Sequence, residues 1–202
     1  MKRLRMTGLR SDGLGPIDLE LDAGECLCLS GPSGAGKTRL LRALADLDPH
    51  AGSVELDGMP AARIHPAAWR RQVGLLPADC RWWAETVGEH FAHDARSLLP
   101  QVGLTEASLD WRIERLSSGE RQRLGLLRLL ANSPKVLLLD EPTANLDARN
   151  IERVETLIAA YRREHEAAVI WVSHDPEQIA RVADRHLRIE NGRLRAETGA
   201  AA

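Results

Sequence analysis

The eight residues Gly31-Pro32-Ser33-Gly34-Ala35-Gly36-Lys37-Thr38 constrain this chain more than any other stretch. They match a glycine, four variable residues, then Gly-Lys and Ser or Thr. In such a turn the backbone N–H groups surround an anion, and the helix that follows aims its positive end at it. Glycine is needed where a side chain would block the anion or where φ must be positive. The flanks suit the motif. Glu25–Ser30 is a short apolar run bounded by Gly24 and Gly31, as a buried strand would be. From Thr38 to Leu47, Leu40, Leu41, Leu44 and Leu47 recur at helical spacing, and Pro49 and Gly52 stop the pattern. Lysine occurs only at positions 2, 37 and 135, which makes Lys37 informative. It is expected to reach β- and γ-phosphates, with Thr38 Oγ a ligand to Mg²⁺.

A second acidic element lies at Val136-Leu-Leu-Leu-Asp140-Glu141-Pro142. An apolar strand ending in a carboxylate delivers Asp140 to the C-terminal edge of a sheet, where open α/β folds bind their ligands. Asp140 can hold Mg²⁺ through water. Glu141 can orient or deprotonate a water that attacks the γ-phosphorus. A strand running into an acidic turn is common by itself; beside a phosphate loop the catalytic reading dominates. The third element, Leu116-Ser117-Ser118-Gly119-Glu120, precedes a helical run with Leu124, Leu127 and Ala131 along one side. It forms a capping box, Ser117 capping and Glu120 reaching back to its amide. That accounts for Ser117 and Glu120 without a ligand and leaves Gly119 unexplained. A Ser-Ser-Gly helix start is also a good anion site, so the two readings coexist.

Elsewhere Ile17–Leu21 alternates as an edge strand does, and a strand pair is expected around Ser53–Leu56 and Gln72–Leu76. Residues 79–132 read as mainly helical, followed by a helix over Ala148–Glu164 and a strand over Ala167–Ser173. Apolar strands separated by helices indicate a parallel sheet covered on both sides. A frayed end is expected for the last residues of the tail. The net charge of −2 provides no basic field for nucleic acid or an anionic membrane surface. No run approaches the roughly 18 apolar residues of a membrane span, and the N-terminus shows no secretion signal. Cys26 and Cys28 fall on one face of a strand with no His/Cys cluster beside them. They read as buried thiols in a reducing, cytosolic setting.

The order of these motifs resembles the ATP-binding subunits of ABC transporters. Residues 31–38 are similar to Walker A, Leu116–Glu120 to the signature motif, and Val136–Glu141 to Walker B. Ala144-Asn-Leu-Asp147 resembles the D-loop, and Val172-Ser-His174 the switch histidine at a strand end. The resemblance implies an α/β P-loop NTPase with a mainly parallel sheet, N-terminal antiparallel strands and a short inserted helical lobe. One domain over 1–202 is expected, its core at 1–77 and 133–202 and its lobe at about 78–132. It also implies a head-to-tail homodimer with ATP and Mg²⁺ between subunits. Ser117, Ser118, Gly119 and Glu120 would meet the partner's nucleotide in trans. His174 would touch the γ-phosphate, and Asp147 would couple the two sites. Hydrolysis would drive a separate integral membrane permease, placing the chain at the cytoplasmic face of the inner (plasma) membrane. Small subunits of two-component transporters, metal exporters among them, are similar in size.

Three departures from the family pattern stand out. The position where such subunits carry a glutamine that touches Mg²⁺ and the attacking water is Ala78. Gln72 lies too far upstream, and Asp79 points the other way on extended chain. Residues 1–68 contain no Phe, Tyr or Trp, so no aromatic ring is at hand for adenine; Leu9 or Arg10 is the expected support. The lobe is short, with Trp82 and Trp83 at its start, as packing residues or as anchors for the permease. A nucleotide-gated regulatory module with weak hydrolysis is the alternative that Ala78 suggests; Glu141 and His174 speak against it. A chromosome-repair or translation ATPase would be longer and more basic.

Overall fold

The computed structural model describes residues 1–91 and 96–197. Strands β1 (Lys2–Ser11), β2 (Leu14–Asp22) and β3 (Cys26–Ser30) lead into helix α1 (Lys37–Leu44). Next come β4 (Ala51–Leu56), β5 (Met59–Pro60), α2 (Pro66–Gln72) and β6 (Val73–Leu76). The second half holds α3 (Ser118–Leu130), β7 (Val136–Asp140), α4 (Ala148–His165), β8 (Ala168–Val172), α5 (Pro176–Val182), β9 (Arg185–Glu190) and β10 (Arg193–Ala196).

The strands divide into a four-stranded sheet, β2-β1-β4-β5, and a six-stranded sheet, β10-β9-β3-β8-β7-β6. The first is antiparallel throughout. The second is parallel except for β10. Every residue of β7 and β8 is buried, because both faces of the central strands are covered. Period-two alternation then splits their side chains between two cores. Leu138, Ile170, Leu27 and Leu29 face α1 and the antiparallel sheet. Leu137, Leu139, Val169 and Trp171 face α3, α4 and the lobe, and Cys26 and Cys28 lie with them. Cys26 and Cys28 are free and buried, as expected; Cys80 is free and buried too, and burial pushes its thiol up to about 11.

Helix α1 lies between the sheets, and its far end is held by the buried Trp69, whose indole N–H donates to the Leu44 carbonyl at 2.8 Å. It stops at Leu44 rather than Leu47, because Asp46 turns the chain into the left-handed region at φ 55°. Residues 53–56 and 72–76 do not form the expected strand pair. β4 pairs with β1 and β6 with β7, because α2 intervenes and carries the chain from one sheet to the other. Gln72 accordingly ends α2 rather than lying on a strand.

The expected helical lobe is built mostly of short pieces. Among the described residues of 79–132, α3 is the one α-helix, and 88–90, 96–102, 106–110 and 113–115 are separate 3₁₀ segments. Val87, Leu99, Val102, Leu104 and Leu116 enter the core from several short segments, only Leu99 and Val102 sharing one, so they form no long helical stripe. Pro100 and Gly103 suit such breaks. The expected fraying concerns residues 198–202, which lie outside the described residues.

Candidate active site

Register decides what meets at the sheet edge. In the parallel set β3-β8-β7, Leu29 lies opposite Val172, and Val172 opposite Asp140. The chain therefore leaves all three strands at one level. Three loops emerge side by side, carrying Gly31–Gly36, Glu141 and Ser173-His174.

The first is a phosphate loop in form. Gly36 has φ 104°, and a Cβ there would come within 2.5 Å of the Leu14 side chain, so no other residue fits between loop and β2. Lys37 is 7% exposed and folds back over the loop, its Nζ donating to the Gly31 carbonyl at 2.8 Å and the Pro32 carbonyl at 3.0 Å. Burial lowers its pKa from the usual lysine range, and the charges of Glu141 and Asp140 work against that shift. A cation held among backbone N–H groups is an anion receptor.

Thr38 Oγ1 donates to Asp140 Oδ2 at 2.7 Å. Burial raises the Asp140 pKa and the Glu141 charge adds to this, while the Thr38 hydrogen bond and Lys37 oppose it. A carboxylate touching a hydroxyl is a pair of hard oxygen donors. That suits Mg²⁺, which takes one or two protein ligands and completes its shell with phosphate and water. No cluster of three or more His, Cys, Asp or Glu side chains occurs among the described residues, so an all-protein cation cage is not offered as an alternative.

Glu141, the first residue after β7, has φ 50°, a conformation that costs a non-glycine residue roughly 1–3 kcal/mol and concentrates at functional sites. It turns the carboxylate sideways, where Oε1 lies 3.2 Å from His174 Nε2. Both side chains are partly exposed, at 37% and 49%. The structure thus brings together Gly31, Pro32, Ser33, Gly34, Ala35, Gly36, Lys37, Thr38, Asp140, Glu141 and His174 at one edge.

The third element lies apart. Among the described residues, no hydrogen bond or ion pair joins Ser117–Glu120 to the phosphate loop. The capping box is complete: the Glu120 amide donates to Ser117 Oγ at 3.2 Å, and the Ser117 amide to Glu120 Oε2 at 2.9 Å. Gly119 has a reason within the chain that the motif did not reveal. A Cβ there would lie 2.9 Å from the Asn145 carbonyl oxygen and 3.0 Å from Leu146, so helix α3 could not approach that loop. Asp147 caps α4, accepting from the Asn150 amide at 2.9 Å and the Asn150 side chain at 2.8 Å. Those bonds hold its carboxyl below the usual range.

Ala78 and Asp79 are both exposed. They line a cavity of about 400 Å³ with Ser118, Arg121, Gln122 and Asn145. The loop's position is set by the buried Gln122, which donates to the Pro77 carbonyl at 3.3 Å and accepts from the Cys80 thiol at 3.5 Å. Leu9 is fully buried, so it cannot support a base; Arg10 is exposed on the same strand. Sequence reasoning passed over Gln122, Arg123 and Gln178. Polar residues on apolar helices carry no periodic signal, and only the fold shows what they reach.

Comparison with known proteins bears on this site. Residues 14–144 match the family model described as ABC transporter. The aliphatic sulfonates import ATP-binding protein SsuB of Burkholderia pseudomallei (strain K96243) is 35% identical over 189 residues, covering 90% of this chain and 56% of that protein. The chain thus spans little more than half the length of this relative. A second relative, "Probable iron export ATP-binding protein FetA" of Escherichia coli (strain K12), is 36% identical over 179 residues, covering 82% of this chain and 80% of that one. Two solved structures share the fold. One is an ATP-binding subunit of an ABC transporter, at TM-score 0.87 and 23% identity, with 96% of this chain and 88% of that one covered. The other is a dimeric ATP-binding cassette in a post-hydrolysis state bound to ADP and Pi, at TM-score 0.82 and 22% identity, with 98% and 100% covered.

Proposed function

This chain belongs to the ABC transporter family of ATP-binding proteins, and from that premise we propose that it hydrolyses ATP to power a separate integral membrane permease. It acts as a head-to-tail homodimer at the cytoplasmic face of the inner (plasma) membrane, with core 1–77 and 133–202 and lobe 78–132. No helix among the described residues is long and apolar enough to cross a membrane, and on this proposal the permease supplies the pathway for cargo. One observation carries the catalytic reading: the lysine-lined loop, the Thr38–Asp140 pair and the Glu141–His174 pair share one sheet edge.

The loop amides and Lys37 bind the phosphates and fix the triphosphate in place. Thr38 and Asp140 would hold Mg²⁺, which supplies charge stabilisation at the phosphoryl oxygens. Glu141 orients a water and accepts its proton as the water oxygen bonds to the γ-phosphorus. The bond from that phosphorus to the β–γ bridging oxygen breaks, leaving ADP and phosphate. His174, alongside Glu141, donates a hydrogen bond toward the γ-phosphoryl oxygens. Ser118 and Gly119 of the second subunit close the site, and Asp147 lies at the same interface. Phosphate release by the purified chain, compared with its Glu141→Gln variant, tests the reading. Nucleotide binding with no release above that variant would favour the regulatory module that Ala78 suggests.

The two tryptophans divide the roles considered for them. Trp82 is half-buried and packs on the lobe core, whereas Trp83 is 72% exposed. Arg128 lies 4.5 Å from the Trp82 ring centre and 4.8 Å from that of Trp83, a cation–π bracket. His90 fixes the turn, its Nε2 accepting from the Trp83 and Ala84 amides, both at 2.9 Å. A large ring held rigidly in solvent is a good interface anchor. Trp83→Ala is expected to leave the fold intact and to weaken co-purification with the permease by about tenfold or more. Normal assembly of the variant, or its unfolding, would end this role for Trp83.

Without an aromatic ring, and with Leu9 buried, binding energy comes from the phosphates rather than the base. ATP and GTP are expected to compete with affinities within about threefold of each other, less than one hydrogen bond's worth of discrimination. A strong ATP preference in a competition titration would show a base site elsewhere.

A further inference from the structure

Glu141 and His174 come from different loops, so something must set the distance between them. Gln178 on α5, 3% exposed, touches both loops. Its Nε2 donates to Thr143 Oγ1 at 2.9 Å and to Glu155 Oε1 at 2.9 Å, and its Oε1 accepts from Ser173 Oγ at 2.9 Å. Thr143 lies two residues beyond Glu141, and Ser173 immediately precedes His174. Both are buried, at 7% and 5% exposure. Ser173 Oγ also accepts from the Asp175 amide at 3.1 Å, so its hydroxyl proton is directed at Gln178. Glu155, on α4, is held in turn by Arg181 at 3.0 and 3.2 Å. One side-chain amide therefore joins the loop after β7, the loop after β8 and the helix that Asp147 caps.

Buried polar groups are nearly always paired, and a satisfied glutamine can be merely structural. Here the partners argue for more. The amide bonds to two loops that have no other side-chain bond to each other among the described residues except the Glu141–His174 contact itself. A hydrocarbon of the same size would strip Thr143 Oγ1 of its side-chain partner and cost Ser173 and Glu155 one bond each, leaving Glu155 with Arg181 and Ser173 with the Asp175 amide, and the loops free to part. Displacements of about 1 Å at a reacting centre can cost on the order of 100-fold in rate.

We propose that Gln178 is a positioning residue that sets the Glu141–His174 separation by stapling the two loops. This rests on the hydrolytic reading above. The test is steady-state phosphate release by the full-length protein. Gln178→Leu is expected to lower kcat by about tenfold or more while KM for ATP stays within about twofold. Because the residue acts through the pair, the same change in a His174→Ala background should cost less than about twofold. An equal loss in both backgrounds, or a kcat for Gln178→Leu near that of the unaltered protein, overturns the proposal. If Gln178→Leu fails to fold, Thr143→Val and Ser173→Ala each remove one strand of the staple. Both should lower kcat without raising KM, and unchanged kcat in both overturns the proposal as well. Absence of phosphate release from the unaltered protein would instead defeat the hydrolytic reading, and this proposal with it.

Discussion

Glu141→Gln is expected to lower steady-state phosphate release by about 100- to 10,000-fold, the range that a positioned general base contributes. The amide keeps the size of the carboxylate and can still bond to His174, so the strained backbone at φ 50° has no cause to relax. What disappears is the capacity to take a proton from water. Nucleotide affinity should therefore change by less than about threefold, since the loop and Lys37 are untouched. Phosphate release and equilibrium nucleotide binding, measured on the same preparation, separate the two quantities. Turnover within about fivefold of the unaltered protein would move the base elsewhere, with Asp79 the nearest exposed carboxylate on the Ala78 loop.

Lys37→Ala is the second large effect, and it falls on binding. A buried ammonium that donates to two loop carbonyls is already oriented for an anion. Each charge-assisted hydrogen bond to phosphate is worth roughly 1.5–3 kcal/mol. Losing one or two of them should weaken nucleotide affinity by about tenfold or more. Asp140 and Glu141, whose charges act on this lysine, would then repel the incoming phosphates without opposition. The loop lies at the sheet edge rather than in the core, so the variant should keep its circular dichroism spectrum and melting temperature. Retained nucleotide affinity in a folded Lys37→Ala variant would show that the loop is not the phosphate receptor.

The residues of the sheet edge were legible before the fold because each lies in a local pattern whose chemistry is self-contained. A glycine turn between strand and helix, and an apolar strand running into Asp140-Glu141, describe their own surroundings. Long-range arrangement was not legible in the same way. Ser53–Leu56 reads as a strand, yet nothing within it says that its partner is β1 rather than β6. The lobe was legible as helical but not in its form. Apart from α3, its described helices are short 3₁₀ segments, whose length depends on contacts the local pattern does not carry. Gly119 looked like a feature of a ligand site, and the structure adds a steric reason within the chain. Gln178 gave no signal, because a buried amide is recognisable only by the hydroxyls it meets.

Helix α1, enclosed by two sheets and tied at its end by Trp69, makes the phosphate loop the stationary part of this molecule. Work extracted from a nucleotide has to appear as displacement of something less firmly held. On the proposed function that role falls to the loop after β6, which is tied to α3 through Gln122. Trp83 stands on that stretch, facing outward. If the proposed function holds, the Ala78 loop is the fulcrum of a short lever and the exposed Trp83 indole its far end.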